Sequence, residues 1–423
     1  MIFRPRIFLV LSLFLCVSLH AADHLTHPLA DPPNWKSLEK FQKTITHDEF
    51  DRLLHGVYCS HGISDDFIRA DEKVACILMD RDAQSWFTLR FAPSEAKQAA
   101  IPRWWRPARA LPKSKKKSAP LSGVKIALDP GHIGGAWAKM EERWFKSGDA
   151  APVEEGEMTL LVAKMLAEKL RSLGARVSFV RDKTEPTTPY RPDDFKETAR
   201  GILKAEGIEN PPEDFQRPDD PQREQSVRWQ SEILFYRTSE IRERARRVNS
   251  ILRPDVVLCL HFNAEAWGDE QNPTLTDKNH FHVLVNGSYL PPELESDDVR
   301  FEMLRRLLSR DFDEEIKIAD PAALALAKKS GLPAYEYTKD IVTKVGTSGY
   351  VYARNLAATR LYQCPVVYFE PYVMNSVDVF ARIQAGDYEG TRVVNGIERP
   401  SIYREYVDGV VDGLVEYYQA ARK

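Results

Sequence analysis

The sequence has few of the features that would set it apart from ordinary globular proteins. Its 423 residues contain five cysteines and no Cys-x-x-Cys pair, so a zinc site built from cysteines is not predicted. The formal net charge of −3 offers no broad basic surface to a nucleic-acid backbone. No internal repeat and no series of membrane-length apolar runs occurs, and 43% hydrophobic with 29% charged residues is typical of a soluble globular chain.

Residues 1–21 are predicted to be a secretory signal peptide. Arg4 and Arg6 form a short positive start, and the apolar run at 7–19 is too short to cross a bilayer comfortably. An uncleaved anchor is the alternative interpretation. A lipoprotein anchor is not favoured, because no small residue stands directly before Cys16. The mature chain is therefore expected to be exported and to have no stable membrane span.

Four cysteines remain after signal cleavage, and export would permit a disulfide. Cys59 and Cys76 are close in sequence and able to pair, which the sequence leaves open. Cys259 and Cys364 lie in apolar, strand-like runs and are predicted to be buried thiols.

Composition divides the mature chain into three parts. Residues 22–106 are predicted to form a small α+β module of unknown role, with helical spacing followed by strand-like pieces. Residues 107–122 are rich in proline and lysine and are predicted to be a solvated tether, with attraction to an anionic polymer as the alternative. Residues 123–423 alternate strand and helix patterns, which predicts an α/β domain with a mostly parallel sheet flanked by helices. The proline-rich, acidic stretch at about 183–238 is predicted to be an insertion in that domain.

Three chemically useful side chains stand just beyond apolar strands of the α/β domain. They are His132, His261 and Glu370. Because the carboxyl ends of parallel strands meet at one edge of the sheet, where ligands bind, these side chains are predicted to lie together. Two histidines and a glutamate leave a zinc ion one open position for water, and a further carboxylate can move the proton of that water. A zinc hydrolase would use such a set, although each residue alone is a weak signal.

Four segments, in order, resemble the zinc-dependent N-acetylmuramoyl-L-alanine amidase family (the type 3 catalytic domain). The resemblance covers roughly residues 123–420. It is carried by the segments IALDPGHIGG at 126–135, EGEMTLLVA at 155–163, IRERARRVN at 241–249 with LHFNA at 260–264, and PVVYFE at 365–370 with MNS at 374–376. It implies an amidase-like α/β fold of the phosphorylase/hydrolase type.

The resemblance also implies the roles of the site residues. Three residues are expected to bind Zn²⁺ and one to act as general base and acid, namely His132, Glu155, His261 and Glu370. Glu155 is preferred to Glu154 and Glu157 because of its spacing from the apolar residues of the following helix. Asp129 is expected either to orient His132 or to cap the turn that follows. Asn263 either touches substrate or braces its loop, and Arg244 is expected to support the fold.

The implied reaction is hydrolysis of the amide bond between N-acetylmuramic acid and L-alanine in bacterial peptidoglycan, in cell-wall remodelling or daughter-cell separation. The implied partners are peptidoglycan and a protein activator, in the periplasm or outside the cell. Two alternatives stay open. One is a non-catalytic peptidoglycan-binding or activator protein with an amidase-like fold, and the other is a zinc peptidase that cuts within the peptide stem.

The chain departs from the family pattern at several places. The stretch at 137–145 is long and bulky, and together with 183–238 it is a candidate to line, cover or regulate the groove. His280 and His282 have no family counterpart, so one of them is an alternative or extra metal ligand, although two histidines in a strand more often bind no metal. The residues that follow Glu370 also differ from the family pattern.

Overall fold

The computed structural model describes residues 32–217 and 219–422. The predicted signal peptide lies outside the described residues. Within the described ranges, no helix is both long enough and apolar enough to cross a membrane.

The amino-terminal module has the α+β character that its sequence predicts. Its elements are a 3₁₀ segment (Trp35–Phe41), helix α1 (His47–Leu53), a π-helical turn (Leu54–Tyr58) and an antiparallel sheet of β1 (Ile68–Ala70), β2 (Val74–Asp80) and β3 (Ser85–Arg90). The helical spacing from residue 37 is interrupted at Thr46, whose side chain accepts a hydrogen bond from the Glu49 N–H. An amino-terminal cap of this kind starts a new helix.

Residues 107–122 differ from the predicted solvated tether, because they pack against the body of the protein. Ala108 and Leu121 are fully buried. The Ala108 N–H donates to Glu314 Oε1 at 2.7 Å, and Arg422 donates to backbone carbonyls of this segment. The lysines remain exposed. Charge and proline keep the segment irregular, while its few apolar side chains are enough to bind it to the α/β domain.

The α/β domain follows in chain order. Its strands and helices are β4 (Lys125–Pro130), β5 (Trp144–Phe145), β6 (Val153–Glu154), α2 (Glu155–Ser172), β7 (Arg176–Phe179), α3 (Lys196–Ala205), α4 (Val227–Ile233), α5 (Glu240–Arg246), β8 (Val256–Leu260), β9 (His282–Val285), α6 (Asp297–Ser309), α7 (Asp311–Ser330), β10 (Thr343–Lys344), β11 (Val351–Ala353), α8 (Ala357–Leu361), β12 (Val366–Glu370), α9 (Val377–Gln384), β13 (Arg392–Val394), β14 (Ile397–Arg399) and α10 (Ile402–Ala421).

The large sheet confirms the predicted, mostly parallel architecture. In the described part of the chain it has seven strands in the order β10, β11, β9, β12, β8, β4, β7. Strands β7, β4, β8 and β12 are parallel to one another, whereas β9 runs antiparallel to β12 and pairs His282 with Glu370. The start of β9 therefore lies at the same edge of the sheet as the carboxyl ends of β4, β8 and β12.

Two apolar layers cover the sheet. Helices α2, α7 and α10 pack on one face, against residues such as Ile126, Leu258 and Phe369. Helices α5 and α8 cover the other face, against residues such as Val257 and Tyr368. All five residues of β8 are buried, which explains its uninterrupted apolar sequence.

The stretch at 183–238 folds into a small helical unit that contains α3 and α4. Phe195 and Leu203 form an apolar core with Phe235, and Ile133 from the loop after His132 joins it. The Trp137 and Phe235 rings lie 5.1 Å apart, centre to centre. The insertion therefore holds the loop that follows the first site histidine.

The amino-terminal module lies at the edge of the sheet opposite to the ends of β4, β8 and β12. The Ser288 N–H, just past the end of β9, donates to the Val57 carbonyl at 2.7 Å, and the Tyr289 N–H donates to the Tyr58 carbonyl at 2.6 Å. Because β9 is reversed, its carboxyl end is far from the site edge. The module thus contacts the domain without lining the site.

All four cysteines among the described residues are free thiols. Cys59 is buried, and its Sγ lies 3.4 Å from Met303 Sδ. Cys59 and Cys76 therefore form no disulfide in the structure, which answers the question that the sequence leaves open. Cys259 and Cys364 are buried thiols, as predicted.

Candidate metal centre

The structure brings together three of the residues that the sequence singles out, at the carboxyl edge of the sheet. His132 follows β4, Glu155 is the first residue of α2, and His261 follows β8. Glu155 lies between the two imidazoles, with Oε2 3.2 Å from His132 Nε2 and Oε1 3.0 Å from His261 Nδ1. One ligand atom from each residue lies within 4.8 Å of the other two. We call these three residues the ligand cluster.

Unusual backbone conformations place the cluster. His132 has a φ of +55°, in the left-handed region that non-glycine residues rarely adopt, and Tyr372 near Glu370 has a φ of +58°. Such strain costs on the order of 1–3 kcal/mol and concentrates at functional sites. Gly134, with a φ of +78°, then lets the chain pass against the start of α2. The turn after β4 is therefore shaped to direct His132 toward Glu155.

Gly131 supplies the space for the second histidine, because a Cβ at this position would overlap the His261 ring. We expect Gly131→Ala to displace that imidazole and to weaken metal affinity roughly tenfold or more, in line with the effect of misoriented ligands. A competition titration against a chelating dye measures the change. Gly56→Ala is the matched control, since a Cβ there meets nothing within 4 Å. Equal affinity in the two variants would contradict this role of Gly131.

The protonation states suit metal binding. Burial lowers the pKa of His132 well below its usual value, so that the imidazole is neutral and has a free lone pair. Burial opposes ionisation of Glu155, but His132, His261 and the Arg143 guanidinium outweigh it and lower the pKa of Glu155 to about 2. The cluster therefore combines a neutral imidazole at His132 with an ionised carboxylate at Glu155.

This donor set fits a zinc ion. Zinc prefers tetrahedral sites of imidazole nitrogen and carboxylate oxygen, and hydrolytic sites use three protein ligands with one open position. The Glu155 side chain is 2% exposed and that of His132 is 19% exposed, so the cluster is shielded but open on one side. His261 is held in place by the Tyr368 ring, which stacks on it at 4.2 Å with an interplanar angle of 15°. The residues that would hold the ion are thus already oriented.

Glu370 stands beside the cluster without belonging to it. It ends β12, which is paired with β8, the strand that leads to His261. Burial, reinforced by the negative charge of Glu155, raises the pKa of Glu370 well above its usual value. A carboxyl group with a raised pKa is suited to both accepting and returning a proton near neutral pH. The position agrees with the predicted catalytic role, which remains a prediction.

The other candidate ligands lie outside the cluster. Glu154 is the last residue of β6 and Glu157 is exposed on α2. His280 Nε2 lies 3.2 Å from Glu265 Oε1, and His282 Nε2 lies 3.1 Å from a tyrosine hydroxyl. Asn263 braces its loop, since its Oδ1 accepts a hydrogen bond from the next backbone N–H.

Two residues that sequence reasoning did not assign to the site come from the 137–145 loop. Arg143 Nε lies 3.3 Å from His132 Nε2 and 3.2 Å from Glu155 Oε2. Glu141 accepts hydrogen bonds from the two backbone N–H groups that follow His132, and its Oε1 lies 3.7 Å from His132 Nδ1. The signal in the sequence was the charged, bulky loop itself. Glu141 therefore supports His132 in the manner expected of a second carboxylate behind a metal ligand.

Arg244 on α5 braces the turn after β4, as predicted. It donates to Asp129 Oδ1 at 2.9 Å, to the Pro130 carbonyl at 2.8 Å and to the His132 carbonyl at 2.8 Å. Burial would lower the pKa of Arg244, but the Asp129 and Glu240 carboxylates raise it above its usual value. Asp129 thus binds Arg244, and its two predicted roles, orienting the His132 ring or capping the turn, are replaced by a buried ion pair.

We expect Arg244→Ala to destabilise the protein by about 3–5 kcal/mol, because it leaves two buried carboxylates unpaired. Urea unfolding measures the change. Arg246→Ala on the same helix is the control, since Arg246 pairs with Glu243 at the surface and such pairs contribute about 0–1 kcal/mol. Similar losses in the two variants would show that the Asp129 pair does not hold the turn.

Comparison with known proteins gave matches in structure only. No protein-family model matches the sequence, and no curated protein matches it. Ami1 from Mycobacterium smegmatis, an N-acetylmuramyl-L-alanine amidase, is 17% identical with a TM-score of 0.38, over 71% of this chain and 99% of that chain. The catalytic domain of CwlV from Bacillus (Paenibacillus) polymyxa is 13% identical with a TM-score of 0.35, over 69% and 96%. The CwlD amidase from Clostridioides difficile, solved with the GerS lipoprotein, is 12% identical with a TM-score of 0.36, over 70% and 98%.

Proposed function

We propose that the chain is a zinc-dependent N-acetylmuramoyl-L-alanine amidase, which hydrolyses the amide bond between N-acetylmuramic acid and L-alanine in peptidoglycan. One observation carries the proposal. Three donors from separate parts of the chain, His132, Glu155 and His261, converge within 4.8 Å, and Glu370 lies beside them on the neighbouring strand. A ligand set with an adjacent free carboxyl group is the arrangement that metal-assisted amide hydrolysis requires.

The roles of the protein side chains follow from this geometry. A zinc ion bound at the cluster would lower the pKa of water and polarise an amide carbonyl. Glu370 takes the proton of the attacking water and returns it to the nitrogen of L-alanine as the bond breaks. Arg143, beside Glu155, adds a fixed positive charge that favours an anionic transition state. The stacked Tyr368 ring keeps the His261 imidazole in one orientation.

The biological setting is part of the proposal. The substrate is peptidoglycan in cell-wall remodelling or daughter-cell separation, so the mature protein acts in the periplasm or outside the cell. A protein activator remains a prediction. Such an activator would contact the insertion at 183–238 and the 137–145 loop. An ion pair between Arg223 and Glu142 joins these two segments next to the cluster.

Mass spectrometry of purified peptidoglycan digested with the zinc-loaded protein tests the function. The expected products are free peptide stems with a new L-alanine amino terminus and glycan strands without stems. Cleavage between stem residues would instead establish the zinc peptidase. Binding to peptidoglycan with no released fragment would establish the non-catalytic alternative.

A further inference from the structure

A cluster of lysines lies at the end of the large sheet that is opposite to the ligand cluster. Between Glu95 and Asp129 the chain has nine lysine and arginine residues and no aspartate or glutamate, although its overall net charge is −3. Four of the nine stand within five residues, namely Lys113, Lys115, Lys116 and Lys117. We call the segment 112–118 the lysine loop. Its charge is thus opposite in sign to that of the whole protein.

The lysine loop is held in place at both of its ends. Arg422, which follows α10, donates to the Pro112 carbonyl at 3.0 Å and to the Pro120 carbonyl at 3.0 Å. The Ser114 hydroxyl donates to the Ala119 carbonyl at 2.7 Å, which closes the loop from within. The four lysines are therefore carried by an ordered part of the surface and not by a free tether.

Two arginines of the α/β domain stand beside the lysine loop. The Leu121 N–H donates to the Leu173 carbonyl at 3.0 Å, and the Arg176 N–H donates to the Val124 carbonyl at 2.8 Å. These bonds place the end of α2, with Arg171, and the start of β7, with Arg176, next to the chain that leaves the loop. We call the four lysines of the loop and these two arginines the basic patch.

The positive charge of the basic patch is not neutralised by the protein. All six side chains are exposed, and none of them forms an ion pair in the part of the chain that the structure describes. A lysine elsewhere in the same structure does pair, since Lys278 Nζ lies 3.1 Å from Glu265 Oε2. The six charges of the basic patch are therefore available to a partner that carries negative charge.

The basic patch and the ligand cluster lie at opposite ends of the parallel strands. The chain that leaves the lysine loop enters β4 at Lys125, which pairs with Arg176 at the start of β7. His132 follows the other end of β4. A strand of six residues is about 20 Å long. A surface that contacts the basic patch would thus leave the ligand cluster open on the far side.

The shape of the lysine loop favours a flat partner. Every residue from 112 to 118 except Ser114 is exposed, so the loop protrudes from the protein. Proteins that bind a charged polymer such as single-stranded nucleic acid use a groove along the polymer and aromatic rings that stack on it. The loop protrudes and contains no aromatic residue. A plane of lipid phosphates, in contrast, can reach all the protruding ammonium groups at once.

We propose that the basic patch binds the surface of a bilayer that contains anionic phospholipids. The ammonium and guanidinium groups contact the lipid phosphates, and the lysine loop has no large apolar side chain to enter the hydrocarbon region. The contact is therefore electrostatic and weakens when salt screens the charges. It holds the protein at the membrane with the ligand cluster directed away from the lipid. This interaction is independent of the reaction proposed above.

Cosedimentation with lipid vesicles tests the proposal. The protein is the chain from residue 22 onward, so that the predicted signal peptide does not contribute to binding. We expect it to bind vesicles of phosphatidylcholine with phosphatidylglycerol at low salt, to dissociate at high salt, and not to bind pure phosphatidylcholine. In the triple variant Lys115→Gln, Lys116→Gln, Lys117→Gln the partition coefficient should fall about 100-fold, since each charge contributes about fivefold.

A second triple variant controls for the loss of charge. Lys328→Gln, Lys339→Gln, Lys344→Gln removes the same number of exposed lysines, from α7 and from the region of β10. Strand β10 is at the edge of the sheet opposite to β7, away from the basic patch. This variant is expected to bind anionic vesicles as the wild type does.

Three results would overturn the proposal. One is that the wild type does not bind anionic vesicles at low salt, or that the lysine-loop variant binds them equally well. Another is an equal loss of binding in the two triple variants, because net charge and not the basic patch would then govern the interaction. The third is binding to soluble polyphosphate without binding to vesicles, which would assign the patch to a charged polymer.

Discussion

Replacing Glu370 by glutamine is expected to leave the bound metal in place while hydrolysis of peptidoglycan falls by about 10²–10⁴-fold. Glutamine has nearly the shape of glutamate but cannot accept and return a proton. Glu370 lies outside the ligand cluster, so its loss does not remove a donor from the metal. The raised pKa of Glu370, caused by burial and by Glu155, indicates that the structure prepares this group for proton transfer.

Two measurements check this result, namely the release of L-alanine-terminated stems and the zinc content of the purified variant. Glu398→Gln on β14 is the matched control, because Glu398 is exposed on a hairpin at the surface. A Glu370→Gln variant that digests peptidoglycan at the wild-type rate would contradict the assignment. Loss of zinc together with activity would instead move Glu370 into the set of ligands.

Replacing His261 by alanine is expected to abolish both zinc binding and hydrolysis. The substitution removes one of three donors, and two protein ligands do not hold zinc in a hydrolytic site. It also leaves Glu155 without the imidazole that lies 3.0 Å from its Oε1. Zinc per chain, measured after dialysis, should fall from about one to near zero. His132→Ala should behave in the same way.

A nearby histidine provides the control for this experiment. His280 lies in the same region and contacts Asn263, which follows His261 closely in the chain, but it is outside the ligand cluster. We expect His280→Ala to keep its full zinc content. Zinc loss in His280→Ala, or full zinc content in His261→Ala, would mean that the metal is held by a different set of histidines.

The parts of the fold that depend on apolar periodicity could be predicted from sequence. The apolar strand before His261, which the sequence predicts, is β8 in the structure, because a central parallel strand is buried on both faces and its sequence is uniformly apolar. The edge at which the two histidines and Glu370 meet follows from the geometry of parallel strands alone. The direction of β9 could not be predicted, since an apolar strand carries no signal for its orientation.

Helices α6 and α7 were not predicted, because buried charges interrupt their apolar pattern. Arg306 is fully buried and lies 3.4 Å from Asp311 across the junction between these helices, with Glu315 bonded to the same guanidinium. Burial of paired charges is a tertiary arrangement that a single sequence does not reveal. Pro321 within α7 further weakens the helical signal.

The side chains that support His132 could not be predicted from the sequence either. Arg143 and Glu141 come near His132 because β5 pairs with β6 and because the insertion packs on Trp137. The contact between Trp137 and Phe235 joins segments that are far apart in the chain. The candidate ligands could be proposed from sequence, because their spacing from strands and helices is local, whereas the positions of Glu141 and Arg143 depend on how the loop at 137–145 packs against the insertion.

Anomalous scattering at the zinc edge, from a crystal grown with zinc, tests the central claim most directly. We expect one strong peak at about 2.0–2.2 Å from a nitrogen of His132, a nitrogen of His261 and an oxygen of Glu155, with Glu370 beyond bonding distance. A peak at other residues, or no peak among these three side chains, would contradict the account of this protein as a zinc hydrolase.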